Sequence, residues 1–291
     1  MNKPIATMAR TNEILAKYDL YAKKNFGQNF IIEPGIVEKI ARLSHADEHS
    51  AVIEIGPGIG ALTEQLARVA GQVLAFEIDD RLIEVLADTL SDYPHVEVVH
   101  QDFLEADLNA TVEKLKTQWN QVLVCANLPY YITTPILFKI FESKADIPVI
   151  TVMMQKEVAD RFTAAVSTKD YNALSVIVQY QYQVQTVMKI PKTIFNPRPA
   201  VDSAVVQFTR RQPVRAARDE AQFFALVKGC FKQRRKTLYN NFREYLQDKD
   251  EATRLLNEAG LEPSLRAETM TLDQFLDLYE VTYETKSLRE N

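Results

Sequence analysis

The chain has 291 residues, of which 46% are hydrophobic and 25% are charged, and its formal net charge is −5 at pH 7. This length predicts two domains, and no apolar run reaches the roughly 18 residues that a membrane-spanning helix needs, which argues against a membrane protein. Because Cys125 and Cys230 are the only cysteines and the first residues lack a secretory signal, we expect a cytoplasmic protein. His45 and His49 lie in a polar stretch without further ligands, so we expect no metal site.

Opposite charges are segregated along the chain. Between Arg210 and Tyr245 there are ten Lys or Arg against three Asp or Glu, whereas the other residues carry a net charge of −12. A basic segment on an acidic protein indicates either a surface that faces nucleic-acid phosphates or a solvated helix face, and composition leaves both open.

The predicted elements begin with a short amphipathic helix, TNEILAKY, and a polar loop, KKNFGQNF, in an extension over residues 1–30. A helix from about Pro34 to Ser44 follows, with proline in its first turn. From Ala51 onward, apolar runs of strand length alternate with helices such as RLIEVLADTL and PILFKIFESK. The predicted strands are AVIEI, QVLAFEI, VEVV, QVLVCA, IPVITVMM and YQVQTVMKI. This alternation predicts βαβ units and a mostly parallel, doubly wound sheet over residues 31–210.

The last strand and the region after it break this alternation. SAVVQF follows FNPRPAVD with no helix between, so we expect it to run antiparallel at the sheet edge. RRQPVRAARDE is typical of a linker. The segments AQFFALVKGCFKQRRKTLYNNFREYL, EATRLLNEAG and TLDQFLDLYEVTYE then have a helical period, which predicts a small all-helical domain over residues 211–291.

Three glycines, Gly56, Gly58 and Gly60, come directly after the first strong strand and open a helix. They let a ligand approach the carboxyl end of that strand, although GxGxG alone also fits a nicotinamide dinucleotide site or a tight turn. Glu77 ends the second strand, where it can accept ribose hydroxyls, and Asp102 follows the third, where it can accept from an adenine amine or cap a helix. The glycine loop departs from the GxGxxG dinucleotide pattern, and acids stand at the ends of successive strands. In these two features the sequence resembles class I S-adenosylmethionine-dependent methyltransferases.

The fourth strand ends in a tetrad, Asn127-Leu128-Pro129-Tyr130, whose chemistry fits an exocyclic adenine amine. That nitrogen is a poor nucleophile because its lone pair is delocalised into the ring. The amide oxygen of Asn127 and the carbonyl oxygen of Leu128 can each accept a hydrogen bond from one of its two N–H groups. These hydrogen bonds would aim the lone pair at the methyl donor without a strong base. Pro129 stiffens the loop, and Tyr130 can stack on a displaced base; the alternative is a proline turn with a core tyrosine.

Five segments resemble the bacterial KsgA (RsmA) family of small-subunit ribosomal RNA adenine dimethyltransferases: KKNFGQNFI, EIGPGIGALT, NLPYYITTPIL, FNPRPAVDS and CFKQRRKTLYNN. The resemblance spans nearly the whole chain. It implies a Rossmann-like α/β methyltransferase domain with a small helical domain, and S-adenosylmethionine as co-substrate. It also implies dimethylation at N6 of two adjacent adenosines in the 3′-terminal hairpin of 16S rRNA. We therefore expect the small (30S) ribosomal subunit or its precursor as partner, and a monomeric enzyme.

The resemblance also assigns residues. It implies that S-adenosylmethionine is surrounded by Asn29, the main chain of Ile31, Gly56, Gly58, Glu77, Asp102 and Asn127. Many members have leucine where this chain has Ile31. Phe195 would stack on the far side of the target base from Tyr130, unless it is a buried aromatic at a strand end.

The basic segment provides the candidate RNA-binding residues, which are Lys232, Arg234, Arg235 and Lys236. On a continuous helix, Lys232, Arg235 and Lys236 would share one face, with Arg234 beside it. We expect this face to grip RNA phosphates without reading bases.

Three other functions are alternatives. Erm enzymes, which methylate 23S rRNA, resemble most of the first domain, but Leu128, where Erm proteins usually have isoleucine, and RRKTLYNN favour the KsgA family. A non-catalytic RNA-binding assembly factor could use the same fold, although it would not need a donor pocket. A nicotinamide oxidoreductase would need a hydride-acceptor site that the sequence does not suggest.

Overall fold

In a computed structural model, residues 3–20, 29–213 and 215–290 are described, and the chain divides into two compact units. The first unit comprises Met1–Ala159 and Gln185–Arg210, and the second comprises Asp160–Val184 and Arg211–Asn291. Residues 160–184, which the sequence assigns to the first domain, cluster with the C-terminal helices. Apart from Asn29 and Phe30, the predicted loop KKNFGQNF lies outside the described residues.

The helices and strands follow the predicted alternation closely. The helices are α1 Met8–Lys17, α2 Pro34–Leu43, α3 Ala61–Ala67, α4 Asp80–Thr89, α5 Leu108–Lys116, α6 Thr133–Glu142, α7 Lys156–Phe162, α8 Ala173–Gln181, α9 Glu220–Cys230, α10 Leu238–Leu246, α11 Lys249–Glu258 and α12 Leu272–Glu290. The strands are β1 Phe30–Ile31, β2 Ser50–Ile55, β3 Gln72–Glu77, β4 Val96–His100, β5 Gln121–Asn127, β6 Val149–Gln155, β7 Tyr182–Ile190, β8 Phe195–Asn196 and β9 Ser203–Arg210.

Seven strands form one sheet in the order β4-β3-β2-β5-β6-β9-β7. The pairs β2–β3, β2–β5, β3–β4 and β5–β6 are parallel, and β6–β9 is antiparallel. β2 is buried at every position, as a central strand covered on both faces must be. The sheet therefore confirms the predicted mostly parallel Rossmann-like architecture with an antiparallel strand toward one edge.

The exact place of that antiparallel strand corrects the prediction. β9 is not the outermost strand, because it lies between β6 and β7. Its first six residues are all buried, which requires neighbours on both sides, whereas β7 carries exposed polar side chains such as Gln183 and Gln185. An edge strand tolerates this exposure, so β7 takes the edge.

The direction in which the chain moves through the sheet reverses between β2 and β5. From β2 the chain proceeds to β3 and β4 on one side, and from β5 it proceeds to β6 on the other. The loops after β2 and β5 consequently diverge and leave a crevice at their carboxyl ends, which is where open α/β sheets bind ligands. The glycine loop and the Asn127 tetrad follow these two strands.

The second unit has its own helical core. In α8, Tyr180 packs on Phe223 of α9 with ring centroids 5.1 Å apart, and its hydroxyl accepts a hydrogen bond from the N–H of Ala217 at 2.9 Å. Burial of such apolar side chains explains why residues 160–184 belong with the C-terminal helices.

The basic segment does not form the predicted continuous helix. α9 ends at Cys230 and α10 begins at Leu238, so Lys232, Arg235 and Lys236 lie in the turn over residues 231–237. The prediction that they share one helix face is therefore wrong.

Two tertiary contacts account for the break in this helix. A Cβ at Gly229 would lie 2.6 Å from the ring of Tyr245, so glycine lets α9 and α10 pack closely as an antiparallel pair. The buried side chain of Asn241 then fixes the turn, because its amide accepts from the N–H of Gln233 at 3.0 Å and donates to the carbonyl of Gln233 at 3.1 Å. Thr237 caps α10 by accepting from the N–H of Asn240.

Candidate active site

A cavity that is partly open to solvent lies at the carboxyl ends of the parallel strands. Ten of the predicted site residues line it: Asn29, Ile31, Gly56, Gly58, Glu77, Asp102, Asn127, Leu128, Pro129 and Tyr130. They come together because parallel strands in register end at the same edge, with Ile55 beside Phe76 and Glu77 beside His100.

The glycine loop lies against the acceptor tetrad. Gly56 and Gly58 have φ angles of +68° and +62°, which residues with a side chain rarely adopt. A Cβ on Gly56 would be 3.4 Å from the Pro129 ring, and one on Gly58 would be 3.5 Å from the Phe30 ring. The two loops thus bound one cavity, and a ligand in it can contact both.

Glu77 closes the glycine loop through its carboxylate. One carboxylate oxygen, Oε1, accepts from the N–H groups of Ile78 and Asp79 at 2.9 Å each, and the other, Oε2, accepts from the N–H of Gly58 at 3.3 Å. Burial raises the pKa of Glu77, and these hydrogen bonds oppose that shift. A carboxylate has about four acceptor positions, so one remains for a ligand hydroxyl. Glu77 therefore shapes the glycine loop, and its contact with ribose hydroxyls stays a prediction.

Asp102 caps a short helix, which is one of its two sequence interpretations, and its contact with an adenine amine stays a prediction. Its Oδ1 accepts from the N–H of Leu104 at 2.8 Å and caps the 3-10 helix Phe103–Glu105. No described residue donates to Oδ2, which is left to accept from a ligand. Lys139 of α6 donates to the carbonyl of Leu104 at 2.8 Å and holds this short helix in place.

The acceptor tetrad presents two unused oxygens. Within the described residues, no hydrogen bond is made by the Asn127 amide, and none reaches the carbonyl of Leu128, whose N–H donates to the carbonyl of Met153 at 3.1 Å. By contrast, the next carbonyl, that of Pro129, accepts from the hydroxyl of Thr133 at 2.9 Å. The pair of oxygens that the sequence predicts as adenine-amine acceptors is therefore available.

Two adjacent tyrosines border these oxygens and differ in how they are held. The hydroxyl of Tyr130 lies 2.7 Å from Oγ of Ser203, and burial raises the pKa of Tyr130. Tyr131 is 55% exposed at the rim of the cavity. Its pKa is raised by partial burial and then by the nearby carboxylates of Asp102 and Glu77. Sequence reasoning assigned no role to Tyr131 or Ser203.

A family model described as ribosomal RNA adenine dimethylase matches residues 20–284. The chain belongs to this family. The family's members are S-adenosylmethionine-dependent methyltransferases that act on ribosomal RNA, and this confirms the reaction class that the donor and acceptor loops predict.

Curated relatives support this membership along nearly the full chain. The chain is 48% identical to "Ribosomal RNA small subunit methyltransferase A" of Anoxybacillus flavithermus, with 97% of this chain and 98% of the relative covered. It is 50% identical to the protein of the same name in Enterococcus faecalis, with 95% of each chain covered.

Solved structures share the fold. A dimethyladenosine transferase from Plasmodium falciparum has a TM-score of 0.73 and 23% identity, covering 88% of this chain and 98% of that chain. The 23S rRNA methyltransferase ErmE has a TM-score of 0.65 and 28% identity, covering 87% of this chain and 99% of that chain.

The family's methyl donor is positively charged, and one further residue suits it. Glu54, which lines the cavity just before the glycine loop, is 1% exposed, and its Oε2 has no hydrogen-bond partner among the described residues. The pKa of Glu54 is raised to about 8, chiefly by burial and in smaller part by the charge of Glu77, against an opposing effect of the neighbouring hydroxyl of Thr63. A cationic group in the cavity would stabilise the ionised carboxylate. The sequence signal was an acid directly before the glycines.

Phe195 is not brought into the cavity. It is 3% exposed, it does not line the cavity, and it pairs with Ile31 across the short β1–β8 ladder. Its place in the apolar core matches the alternative interpretation, a buried aromatic at a strand end. The base-stacking role of Phe195 stays a prediction.

The candidate RNA-binding side chains are all exposed in the turn between α9 and α10: Lys232, Arg234, Arg235 and Lys236. Lys232 pairs with Glu244 at 2.7 Å and Arg234 with Glu268 at 2.9 Å. Neither Arg235 nor Lys236 has a salt-bridge partner in the part of the chain that the structure describes. These two cations are therefore the more available to an external phosphate.

The described ranges contain no cluster of three or more His, Cys, Asp or Glu side chains able to hold a metal ion. No helix within them is both long enough and apolar enough to cross a bilayer.

Proposed function

We propose that this family member transfers methyl groups to N6 of two adjacent adenosines in the 3′-terminal hairpin of 16S rRNA, giving N6,N6-dimethyladenosine. The substrate would be the small ribosomal subunit or its precursor, and the monomeric enzyme would act in the cytoplasm during ribosome biogenesis. Relatives named for the small subunit are 48% and 50% identical to the chain, compared with 28% for the 23S rRNA enzyme, which favours the small subunit.

One observation carries this proposal at the chemical level. The Asn127 amide oxygen and the Leu128 carbonyl are unused acceptors at the wall of a cavity that also contains the glycine loop. An adenine amine presents two N–H donors in the plane of its base, and these two oxygens can accept one each. When both hydrogen bonds form, they localise the nitrogen lone pair and direct it away from the ring plane. Positive charge that develops on the nitrogen then faces two carbonyl dipoles, and loss of one N–H proton to solvent restores a neutral amine. For the second methyl, the monomethylated amine has one N–H left, so it donates to only one of the two oxygens.

S-adenosylmethionine, when bound, supplies an electrophilic methyl group on a sulfonium. The chain's own residues orient the methyl donor and the adenine and stabilise the charge that develops between them. The carboxylates of Glu77 and Asp102 keep acceptor positions for hydroxyl and amine donors, and Glu54 offers a buried counter-charge. The ring of Tyr130 provides a wall on which a displaced base can stack. Orientation of this kind suffices for methyl transfer to a weak nucleophile.

We propose that recognition of RNA is divided between two kinds of contact. The acceptor oxygens and Tyr130 select an adenine, while the basic turn binds phosphates and carries no sequence information. Of the four basic residues, Arg235 and Lys236 should contribute most, because Lys232 and Arg234 are already paired with carboxylates.

The test is a methylation assay with purified protein and three RNAs. Small subunits that lack the hairpin methylation should accept about two methyls on each of two adenosines, as read by mass spectrometry of nuclease fragments. Naked 16S rRNA tests whether the assembled subunit is needed, and large-subunit rRNA is the control. Methylation of large-subunit rRNA in preference to small subunits would overturn the proposal.

A further inference from the structure

The side chain of Tyr130 is anchored through its hydroxyl. This hydroxyl lies 2.7 Å from Oγ of Ser203, a hydrogen bond between residues that are 73 positions apart. Ser203 is 1% exposed, so this bond is shielded from solvent on the serine side.

The hydroxyl of Ser203 is itself a fixed point. Ser203 begins β9, and its backbone pairs with Gln155 in the antiparallel β6–β9 ladder. The preceding residue, Asp202, accepts from the N–H of Lys156 at 3.0 Å through its carbonyl and from the N–H of Lys192 at 2.9 Å through its carboxylate. The backbone at this position therefore stays in place whatever the side chain of residue 203.

We infer that Ser203 is a positioning residue for methyl transfer, holding the Tyr130 side chain in the rotamer that presents its ring to the target base. The inference rests on the proposed function. The unused oxygens of Asn127 and Leu128 accept hydrogen bonds from N–H groups that lie in the base plane, so the place where the base stacks decides whether these bonds form. Rotation about the first side-chain torsion of a tyrosine moves its hydroxyl from one staggered position to another. A hydroxyl that is held on Ser203 therefore fixes this torsion, and with it the place of the ring, before RNA binds.

Three variants test this: Ser203→Ala, Tyr130→Phe and the double variant. Each single change removes one partner of the same hydrogen bond and keeps the tyrosine-derived ring. We expect each to lower the single-turnover methylation rate about 3- to 10-fold, the range for one lost hydrogen bond. The double variant should be no slower than the slower single variant, because the bond can be lost only once. The affinity for S-adenosylmethionine, measured by calorimetry, should not change.

Ser44→Ala is the matched control. Ser44 is fully buried; its hydroxyl donates to the carbonyl of Ala41 at 2.6 Å and accepts from the N–H of Ala46 at 3.2 Å, so the variant loses at least as much serine hydrogen bonding away from the cavity. We expect a similar small fall in melting temperature for Ser44→Ala and Ser203→Ala, but a slower methylation rate only for Ser203→Ala.

The outcomes separate the inference from the proposed function. A wild-type rate in Ser203→Ala, or a double variant whose loss is the product of the two single losses, would overturn the inference while the wild-type enzyme still methylates small subunits. If the wild-type protein does not methylate small subunits, the proposed function fails and the inference fails with it.

Discussion

Replacing Glu54 with glutamine should change how the stability of the first unit depends on pH. Glu54 is 1% exposed, and its pKa is raised from 4.5 to about 8, chiefly by burial. In the unfolded chain the same carboxyl titrates near its ordinary value. Between pH 4.5 and about 8 the folded protein therefore holds a proton that the unfolded protein has released. Stability must fall as pH rises through this window, and the loss is complete above it.

The size of the effect follows from the same change in the pKa of Glu54. A pKa difference of one corresponds to about 1.4 kcal/mol, so a carboxyl whose pKa is raised this far destabilises the ligand-free protein at high pH by on the order of a few kcal/mol. Glutamine has nearly the same shape and stays neutral, so Glu54→Gln should lack this term. Its unfolding free energy should exceed that of the wild type by an amount that grows between pH 5 and pH 8.

Urea unfolding of the ligand-free protein at pH 5 to 9, followed by tryptophan fluorescence, measures this difference. Trp119 is the only tryptophan, and its indole N–H donates to Gln72 of β3 at 2.8 Å, so the signal reports the sheet unit. Glu113→Gln, at an exposed position on α5, is the control and should follow the wild type. Parallel pH profiles for wild type and Glu54→Gln would refute the reasoning.

Three further predictions concern the active site and RNA. Asn127→Ala should lower the single-turnover rate, measured at saturating S-adenosylmethionine, by roughly 10²- to 10³-fold, as for loss of one oxyanion-hole hydrogen bond, and a near-normal rate would contradict the acceptor role. Glu77→Ala should weaken S-adenosylmethionine binding in calorimetry, because it loses the ribose contact and also releases the N–H of Gly58; unchanged donor affinity would rule both roles out. Arg235→Glu with Lys236→Glu should weaken subunit binding and flatten the plot of log affinity against log salt by somewhat less than one per lost phosphate contact. An unaltered slope would leave the turn as ordinary solvated surface.

Much of the active site could be predicted because its signals are local. Gly56, Glu77, Asp102 and Asn127 each stand at the end of an apolar run of strand length. Once the runs are assigned to parallel strands, their carboxyl ends must meet, and the structure brings the four residues to one cavity. The hydrogen bonds that these side chains make within the protein were not visible in the sequence pattern. The three N–H groups that Glu77 accepts from, and the cap formed by Asp102, depend on the conformation of the loops that follow.

The sequence by itself determined the order of strands and helices and the placement of the donor and acceptor loops, since hydrophobic period and strand ends are properties of neighbouring residues. Only the tertiary structure decided features that depend on residues distant in the chain. The basic segment lies in a turn between α9 and α10, against its helical period, and the ring of Tyr245 on α10 packs where Gly229 on α9 has no side chain. In the same way, only the folded sheet places Ser203 beside Tyr130, because strand pairing brings β9 next to β6 and no local pattern specifies which strand is the neighbour.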